Sequence, residues 1–214
     1  MATLAVFSST TGSLTVAAPA FSYTCGGTER ILIVVTSYSS VNIVSTLSYG
    51  GVAMSSIGTA GMYYLKNPTT GANNITMTGT LGNSVYLAIV SYTGYDQTFD
   101  PTLYYNYSSG TTSPQSTTVT VAIGGSRVIG GFVSAFNTIS GSVYAYSPDT
   151  ILVANTTSSN RSAITDSGDL PPSSRTLTNS STSGGTTSII SAAGLVIAPS
   201  TPTIYASGGF FSFF

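Results

Sequence analysis

The stretch Arg30-Ile-Leu-Ile-Val-Val-Thr-Ser-Tyr38 decides the fold class of this chain. Residues 31–35 are uninterrupted aliphatic and β-branched side chains, a composition that favours β-structure. The run is far shorter than the roughly 18 residues that a membrane-spanning helix needs. A short segment that is apolar on both faces predicts a strand covered on both sides, in the middle of a sandwich or under a loop.

A second stretch, Ser84-Val-Tyr-Leu-Ala-Ile-Val-Ser-Tyr92, predicts another strand, with alternate residues on opposite faces. Further short runs rich in Thr, Val, Ile, Tyr and Phe are separated by Gly, Asn, Pro and Ser, which is typical of strands and turns. They lie at residues 14–17, 42–47, 52–57, 61–66, 74–78, 116–123, 127–136, 141–146, 151–154 and 187–198. We therefore expect an all-β fold, a β-sandwich of jelly-roll or immunoglobulin-like character that forms a single domain over residues 1–198.

Three segments have their own expectations. Gly130-Gly131 lies inside a predicted strand and indicates a bulge or the close approach of another backbone. Residues 155–185 are polar, carry four of the charged residues and predict a long surface excursion. Residues 199–214 predict an extended tail with a Pro-punctuated linker and a Gly208-Gly209 hinge. We find no internal repeat of fixed period.

The charge content excludes several functional classes. The chain has five Lys and Arg and six Asp and Glu among 214 residues, or 5% charged, where soluble domains average about 25%. Five scattered basic residues release few counterions, so phosphate-mediated binding of nucleic acid is not expected. The hydrophobic content of 42% is enough for a core and excludes a disordered chain.

The rarest residue types narrow the chemistry further. There is no His, which excludes a His-based triad and an imidazole metal site. The single Cys25 excludes an intrachain disulfide framework and a thiolate zinc cluster, and we expect it to be buried. We predict no cofactor, no metal and no membrane span, and the residues after Met1 do not have the pattern of a secretory signal.

Several quoted segments occur together in an order that resembles a known domain. They are Ser-Leu-Thr from Ser13, Tyr-Thr-Cys-Gly-Gly-Thr-Glu-Arg-Ile-Leu-Ile-Val-Val ending at Val35, Leu-Ser-Tyr-Gly-Gly-Val-Ala-Met ending at Met54, Met-Tyr-Tyr-Leu-Lys-Asn-Pro-Thr-Thr-Gly-Ala-Asn-Asn-Ile-Thr from Met62, Val-Ser-Tyr-Thr-Gly-Tyr-Asp-Gln-Thr from Val90 and Ile-Ile-Ser-Ala-Ala-Gly-Leu-Val-Ile-Ala-Pro ending at Pro199. Together they resemble a β-sandwich domain that recurs in tailed-phage structural proteins, in phage-like metagenomic sequences and in bacterial surface proteins. The resemblance implies a non-enzymatic module of a virion or a cell surface, with no catalytic residue.

Two acidic pairs are candidates for chemistry. Asp96 and Asp100 could form an acid–base pair, but their turn sequence favours capping of the loop backbone. Asp166 and Asp169 could offer oxygens to Ca²⁺, although they lack the ligand number of a cation loop.

Two aromatic sets are candidates for recognition. A recognition patch is predicted around one loop, for subunit contact or, less favoured, for carbohydrate, and consists of Tyr92, Tyr95, Tyr104, Tyr105 and Tyr107. A subunit-interface segment is predicted in the tail, either folded back onto its own domain or docked on a neighbour, and consists of Tyr205, Phe210, Phe211, Phe213 and Phe214. Docking on a neighbour is favoured, because an exposed aromatic segment of high β-propensity would aggregate.

Taken together, the sequence predicts a non-enzymatic structural subunit of a self-assembling particle. Its partners are copies of itself or other subunits of the same particle. A phage virion component, such as a capsid decoration, head-fibre or tail-associated protein, is the favoured setting. The alternative is an extracellular filament or surface-layer subunit or adhesin of a microbe, assembled by strand donation.

Overall fold

The computed structural model describes residues 4–15, 18–37, 42–58, 61–81, 84–136, 144–147, 149–155, 160–181 and 187–200. Within them the chain is almost entirely β-structure, and a 3₁₀ turn at Pro101–Leu103 divides the strands into two groups. The first group is β1 (Ala5–Leu14), β2 (Ala20–Cys25), β3 (Ile31–Thr36), β4 (Asn42–Tyr49), β5 (Val52–Ala53), β6 (Ser55–Ile57), β7 (Met62–Lys66), β8 (Gly71–Leu81) and β9 (Val85–Thr93). The second group is β10 (Tyr105–Gly110), β11 (Gln115–Val121), β12 (Arg127–Phe136), β13 (Tyr144–Ser147), β14 (Thr150–Asn155), β15 (Asn160–Asp166), β16 (Ser173–Ser181) and β17 (Thr187–Ile197).

The strands form four antiparallel sheets, two from each group. The first group builds a first inner sheet, in the order β1-β9-β3-β7-β6, and a first outer sheet, in the order β2-β8-β4-β5. The second group builds a second inner sheet, β10-β17-β12-β15-β14, and a second outer sheet, β11-β16-β13. The predicted all-β sandwich is confirmed.

Two hydrophobic clusters hold the four sheets in one stack. Side chains such as Leu32, Leu47 and Ile75 fill the space between the first outer and first inner sheets. The larger cluster joins the two inner sheets and continues to Leu177 on the second outer sheet. Alternate residues of β3 enter different clusters, and residues 31–35 are fully buried, so the prediction of a strand covered on both faces is confirmed.

The second half of the chain repeats the topology of the first. β10, β11, β12 and β13 take the places of β1, β2, β3 and β4, while β14, β15, β16 and β17 take those of β6, β7, β8 and β9. The expectation of no repeat holds only for a fixed period, since β2 and β11 begin 95 residues apart (20 and 115) and β9 and β17 begin 102 apart (85 and 187). Loops of unequal length hide the duplication in the sequence.

The two halves meet like the subunits of a two-fold dimer. β1 lies against β14, and the equivalent strands β10 and β6 lie against each other, while β3 and its equivalent β12 meet in the centre. Reciprocal contacts of this kind are those of an isologous interface, but the match is partial, because β9 also lies against β14 and β15 without an equally extensive contact of its equivalent β17 with β6 and β7. The sheets are stacked in the order outer, inner, inner, outer, so the two outer sheets face in opposite directions.

Some local expectations need correction. β1 begins at Ala5, well before the predicted strand at residue 14, and residues 155–185 contain β15 and β16 rather than a surface excursion. At Gly131 the close neighbours are the Met62 and Val35 side chains, not a backbone, and a Cβ at this position would lie only 2.7 Å from the Met62 sulfur. Pro199 and Ser200 are described, but the rest of the predicted tail, including Tyr205 and Phe210, Phe211, Phe213 and Phe214, lies outside the described residues.

Candidate functional site

The predicted tyrosine patch is divided between the core and the surface. Tyr92 and Tyr95 are fully buried, so neither can take part in a surface patch. The Tyr95 hydroxyl donates to the Phe99 carbonyl oxygen at 2.9 Å, and Tyr104 stacks on the Phe99 ring at 5.0 Å between centroids. Tyr105 and Tyr107 are exposed on the edge strand β10. The patch is thereby reduced to these two rings and the half-buried Tyr104.

Asp96 and Asp100 are capping residues in the structure. One oxygen of Asp96 accepts from the amide and the hydroxyl of Thr98, at 2.8 and 2.7 Å. Asp100 does the same for Thr102, at 3.0 and 2.7 Å, and these bonds lower the pKa of the Asp100 carboxyl. The favoured interpretation, capping of the loop backbone, is confirmed.

Asp166 and Asp169 are partners of Arg127 rather than ligands gathered around a cation site. Arg127 contacts Asp166 at 3.0 Å and Asp169 at 2.7 Å. The hydroxyl of Tyr92, in the first half, donates to Asp166 at 2.9 Å, and burial together with the Asp166 charge raises the pKa of Tyr92. The network therefore connects the two halves across the inner sheets. Among the described residues no group of three or more His, Cys, Asp or Glu side chains could hold a metal ion.

Cys25 lies in the first core, where it is 1% exposed. Burial raises the pKa of its thiol, and the neighbouring Tyr49 hydroxyl donates to the Tyr23 carbonyl oxygen at 3.1 Å. A thiol that is buried and protonated is a poor nucleophile, so its predicted structural role fits this environment.

The outward faces of both outer sheets carry rows of small hydroxyl side chains. In the first outer sheet, Thr46 pairs with Thr78 at 2.5 Å and Ser48 with Thr76 at 2.7 Å, oxygen to oxygen. In the second outer sheet, the same kind of pair joins β11 to β16, Ser116 to Thr178 at 2.9 Å and Thr118 to Thr176 at 2.8 Å. We call these rows the hydroxyl ladders.

The hydroxyl ladders lie on faces without charge. On the described strands, the other outward positions next to the ladders hold Ala20, Ser22, Thr24, Ala72, Asn74, Thr120 and Ser174. Charged side chains are directed elsewhere: Arg175 bonds the buried carboxylate of Asp149, and Lys66 donates to the Phe99 carbonyl oxygen at 2.9 Å. The described part of each outer face is thus a neutral surface that carries two pairs of bonded hydroxyls.

The edge strand β1 is a second unusual surface. It pairs only with β9 among the strands that the structure describes. Val6 is 40% exposed and Phe7 45%, and Ile151 of the adjacent β14 is 49% exposed. The ten residues of β1 include neither a charged residue nor a proline, two common means of blocking an edge, although its pairing with β9 shifts register between Val6 and Ser8.

Sequence reasoning missed both surfaces. The signal for the ladders was Ser or Thr at every second position, as at Thr76 and Thr78 or Thr176 and Thr178, which places hydroxyls on one face of a strand. The sequence of β1 carries no comparable signal. Its exposed edge becomes apparent only in the fold, where β1 lies at the end of the first inner sheet beside the buried strand β9.

The comparisons add no relative. No protein-family model, curated protein or solved structure matches the chain. Among the described residues no helix has the length and apolar character to cross a membrane.

Proposed function

We propose that the protein is a non-enzymatic structural subunit of a self-assembling particle whose neighbours cover its outer faces. The observation that carries the proposal is the pair of neutral outer faces, on opposite sides of the stack, with their hydroxyl ladders. The favoured setting is a phage virion, which rests on the resemblance of the quoted segments to phage structural domains.

Covering such a face with a neighbouring subunit costs less desolvation free energy than covering a charged face. A polar group that loses water without gaining a partner costs about 1–3 kcal/mol, and a buried charge costs more. On the ladders the hydroxyls of Thr118 and Thr176 already bond each other, as do those of Thr46 and Thr78. Each pair uses one of its two O–H donors, so a neighbour that offers acceptors can satisfy the other, and no charge of the described ladder faces becomes buried.

The low charge fits the same proposal. The chain has eleven formally charged residues, and the ion pairs of Arg127 with Asp166 and Asp169 and of Arg175 with Asp149 compensate part of them, so little charge is left to keep copies apart. A protein that works in dilute solution normally carries more surface charge for colloidal stability. An adhesin that binds carbohydrate would use an aromatic platform, and among the described residues of the predicted patch only Tyr105 and Tyr107 remain exposed for that.

The test compares assembly of the wild-type chain with that of ladder variants, by multi-angle light scattering and electron microscopy. Thr118→Lys with Thr176→Lys places two like charges on the second outer face, where both residues are exposed and the fold should survive. The matched control is Thr111→Lys with Thr112→Lys, in the exposed turn after β10. We expect the wild type and the control to form higher-order species and the ladder variant to lose them. A wild-type chain that stays monomeric up to its solubility limit overturns the proposal.

A further inference from the structure

We propose that the outer edge of β1, with which no described strand pairs, is the acceptor for residues 201–214 of a second copy, which add to the first inner sheet as an extra strand. This inference rests on the proposed function, since it names one partner segment and its binding site. It also adds a second contact to those made by the outer faces, because β1 lies at the edge of the first inner sheet.

The edge has the chemistry of an acceptor. An unpaired edge offers a row of backbone N–H and C=O groups to an incoming strand. Every residue of β1 from Ala5 to Ser13 is exposed or half-buried, and Val6 and Phe7 offer apolar contact at its beginning. Ile151 of β14 extends the apolar surface, because β14 lies against β1. A donor that fits is an uncharged, aromatic, extended segment, and residues 201–214 contain no charged residue and four Phe.

The last described residues, Pro199 and Ser200, lie next to the start of β1. The amide of Ser200 donates to the Gly94 carbonyl oxygen at 2.8 Å, and Pro199 bridges to Tyr95 in antiparallel fashion. The next place along the same side of β9 is already taken, because Thr93 pairs with Ala5. The position beside Thr93 is therefore occupied by β1 and is not open to a residue that follows Ser200.

Register argues for a neighbour rather than for the same chain. Residues 199–200 run in the same direction as β1, since both are antiparallel to β9. A strand laid directly from Ser200 along β1 would place about one residue beside each residue of β1. Phe210 would then come level with Leu14, so the aromatic end would lie far from Val6 and Phe7. The tail of another copy is free of this restraint and can bring its aromatic side chains to the apolar start of β1.

The positions of the donor segment and the acceptor strand would also allow two copies to exchange their C-terminal segments. Ser200, which precedes the donor segment, and Ala5, where the acceptor strand begins, lie at one corner of the molecule. Two copies that meet at this corner can exchange tails reciprocally, which gives a two-fold dimer. Such dimers are then the units that associate through the outer faces.

The experiment is a disulfide cross-link between differently tagged full-length chains that are co-expressed. One chain carries Ser9→Cys on the exposed part of β1 and the other carries Ser212→Cys in the tail. The native Cys25 is buried, so it should not compete. The matched control replaces Ser9→Cys by Thr111→Cys, in the exposed turn after β10. A second variant, Thr11→Lys, puts a charge on the acceptor edge.

We expect a disulfide between the two tagged chains, no such product with the Thr111→Cys control, and loss of the product when Thr11→Lys is added. A disulfide that forms only within monomers of a chain bearing both Ser9→Cys and Ser212→Cys would show that the tail folds back, and would overturn the inference. Higher-order species without any cross-link would overturn it as well, while the proposed function would stand. A strictly monomeric full-length chain would overturn both.

Discussion

Replacing Tyr92 with Phe should weaken the connection between the two halves of the molecule. The ring of Tyr92 packs in the central core, where it is fully buried, and its hydroxyl donates to Asp166 of the second half at 2.9 Å. Phe keeps the packing and removes only the hydroxyl. Asp166 retains Arg127 at 3.0 Å and the Gly168 amide at 2.7 Å, so its charge stays compensated.

The expected cost follows from the charge of the acceptor. A hydrogen bond to an ionised group contributes about 1.5–3 kcal/mol, and we expect the free energy of unfolding to fall by that amount. For a domain of this size each kcal/mol lowers Tm by roughly 2–4 °C, so the loss should be about 3–12 °C. The assay is urea unfolding followed by circular dichroism, with the exposed Tyr107→Phe as control. A change in unfolding free energy below about 0.5 kcal/mol, the usual range for neutral surface substitutions, would refute the account of this network.

Two further predictions concern the core. Burial raises the pKa of six tyrosines, Tyr23, Tyr49 (to about 12), Tyr63, Tyr64, Tyr92 and Tyr95. Tyrosine in the unfolded chain ionises near pH 10, so the free energy of unfolding should keep its full value below about pH 10 and fall above it. The ultraviolet absorbance of tyrosinate should therefore rise together with the loss of the β-sheet signal in circular dichroism. Gradual ionisation of all tyrosines in a folded chain would contradict this. Phe132→Ala, at a side chain 1% exposed between the inner sheets, should cost about 3–5 kcal/mol and lower one transition shared by both halves. Separate calorimetric transitions for the halves would argue against a shared core.

The parts of the fold that the sequence predicts are those that bury apolar surface on both faces. Residues 31–35 and the strand around Leu87 could be assigned because continuous apolar runs of this length belong to covered strands. β1 could not be assigned, since an edge strand exposed on both sides has no alternation of apolar and polar residues. β15 was hidden by its polar residues, because Ser162 and Thr165 are buried although their composition is typical of a loop.

The candidate surfaces were harder to predict for a related reason. Tyrosine has an apolar ring and a polar hydroxyl, so spacing alone cannot tell the buried Tyr95 from the exposed Tyr105.

The duplication of the fold is visible in the sequence only in fragments, such as the Gly-Gly pairs that precede Arg30 and Arg127. In both halves this arginine, at the start of the equivalent strands β3 and β12, reaches the loop after the equivalent strands β7 and β15, through Asn67 in one half and Asp169 in the other.

The duplicated architecture also determines how copies could associate through their outer faces. The stacking of one half on the other through the inner sheets directs the two outer faces away from each other, so contacts through these faces extend an assembly in one direction, perpendicular to the sheets. Packed sheets lie about 10 Å apart, so a four-sheet stack that meets the next copy at the same spacing has a repeat of roughly 40 Å. Electron micrographs of assembled wild-type protein should therefore show rows with this repeat, and the Thr118→Lys, Thr176→Lys variant should lack them. Rows of a clearly longer repeat would mean that copies associate through edges alone, and that the hydroxyl ladders remain in contact with water.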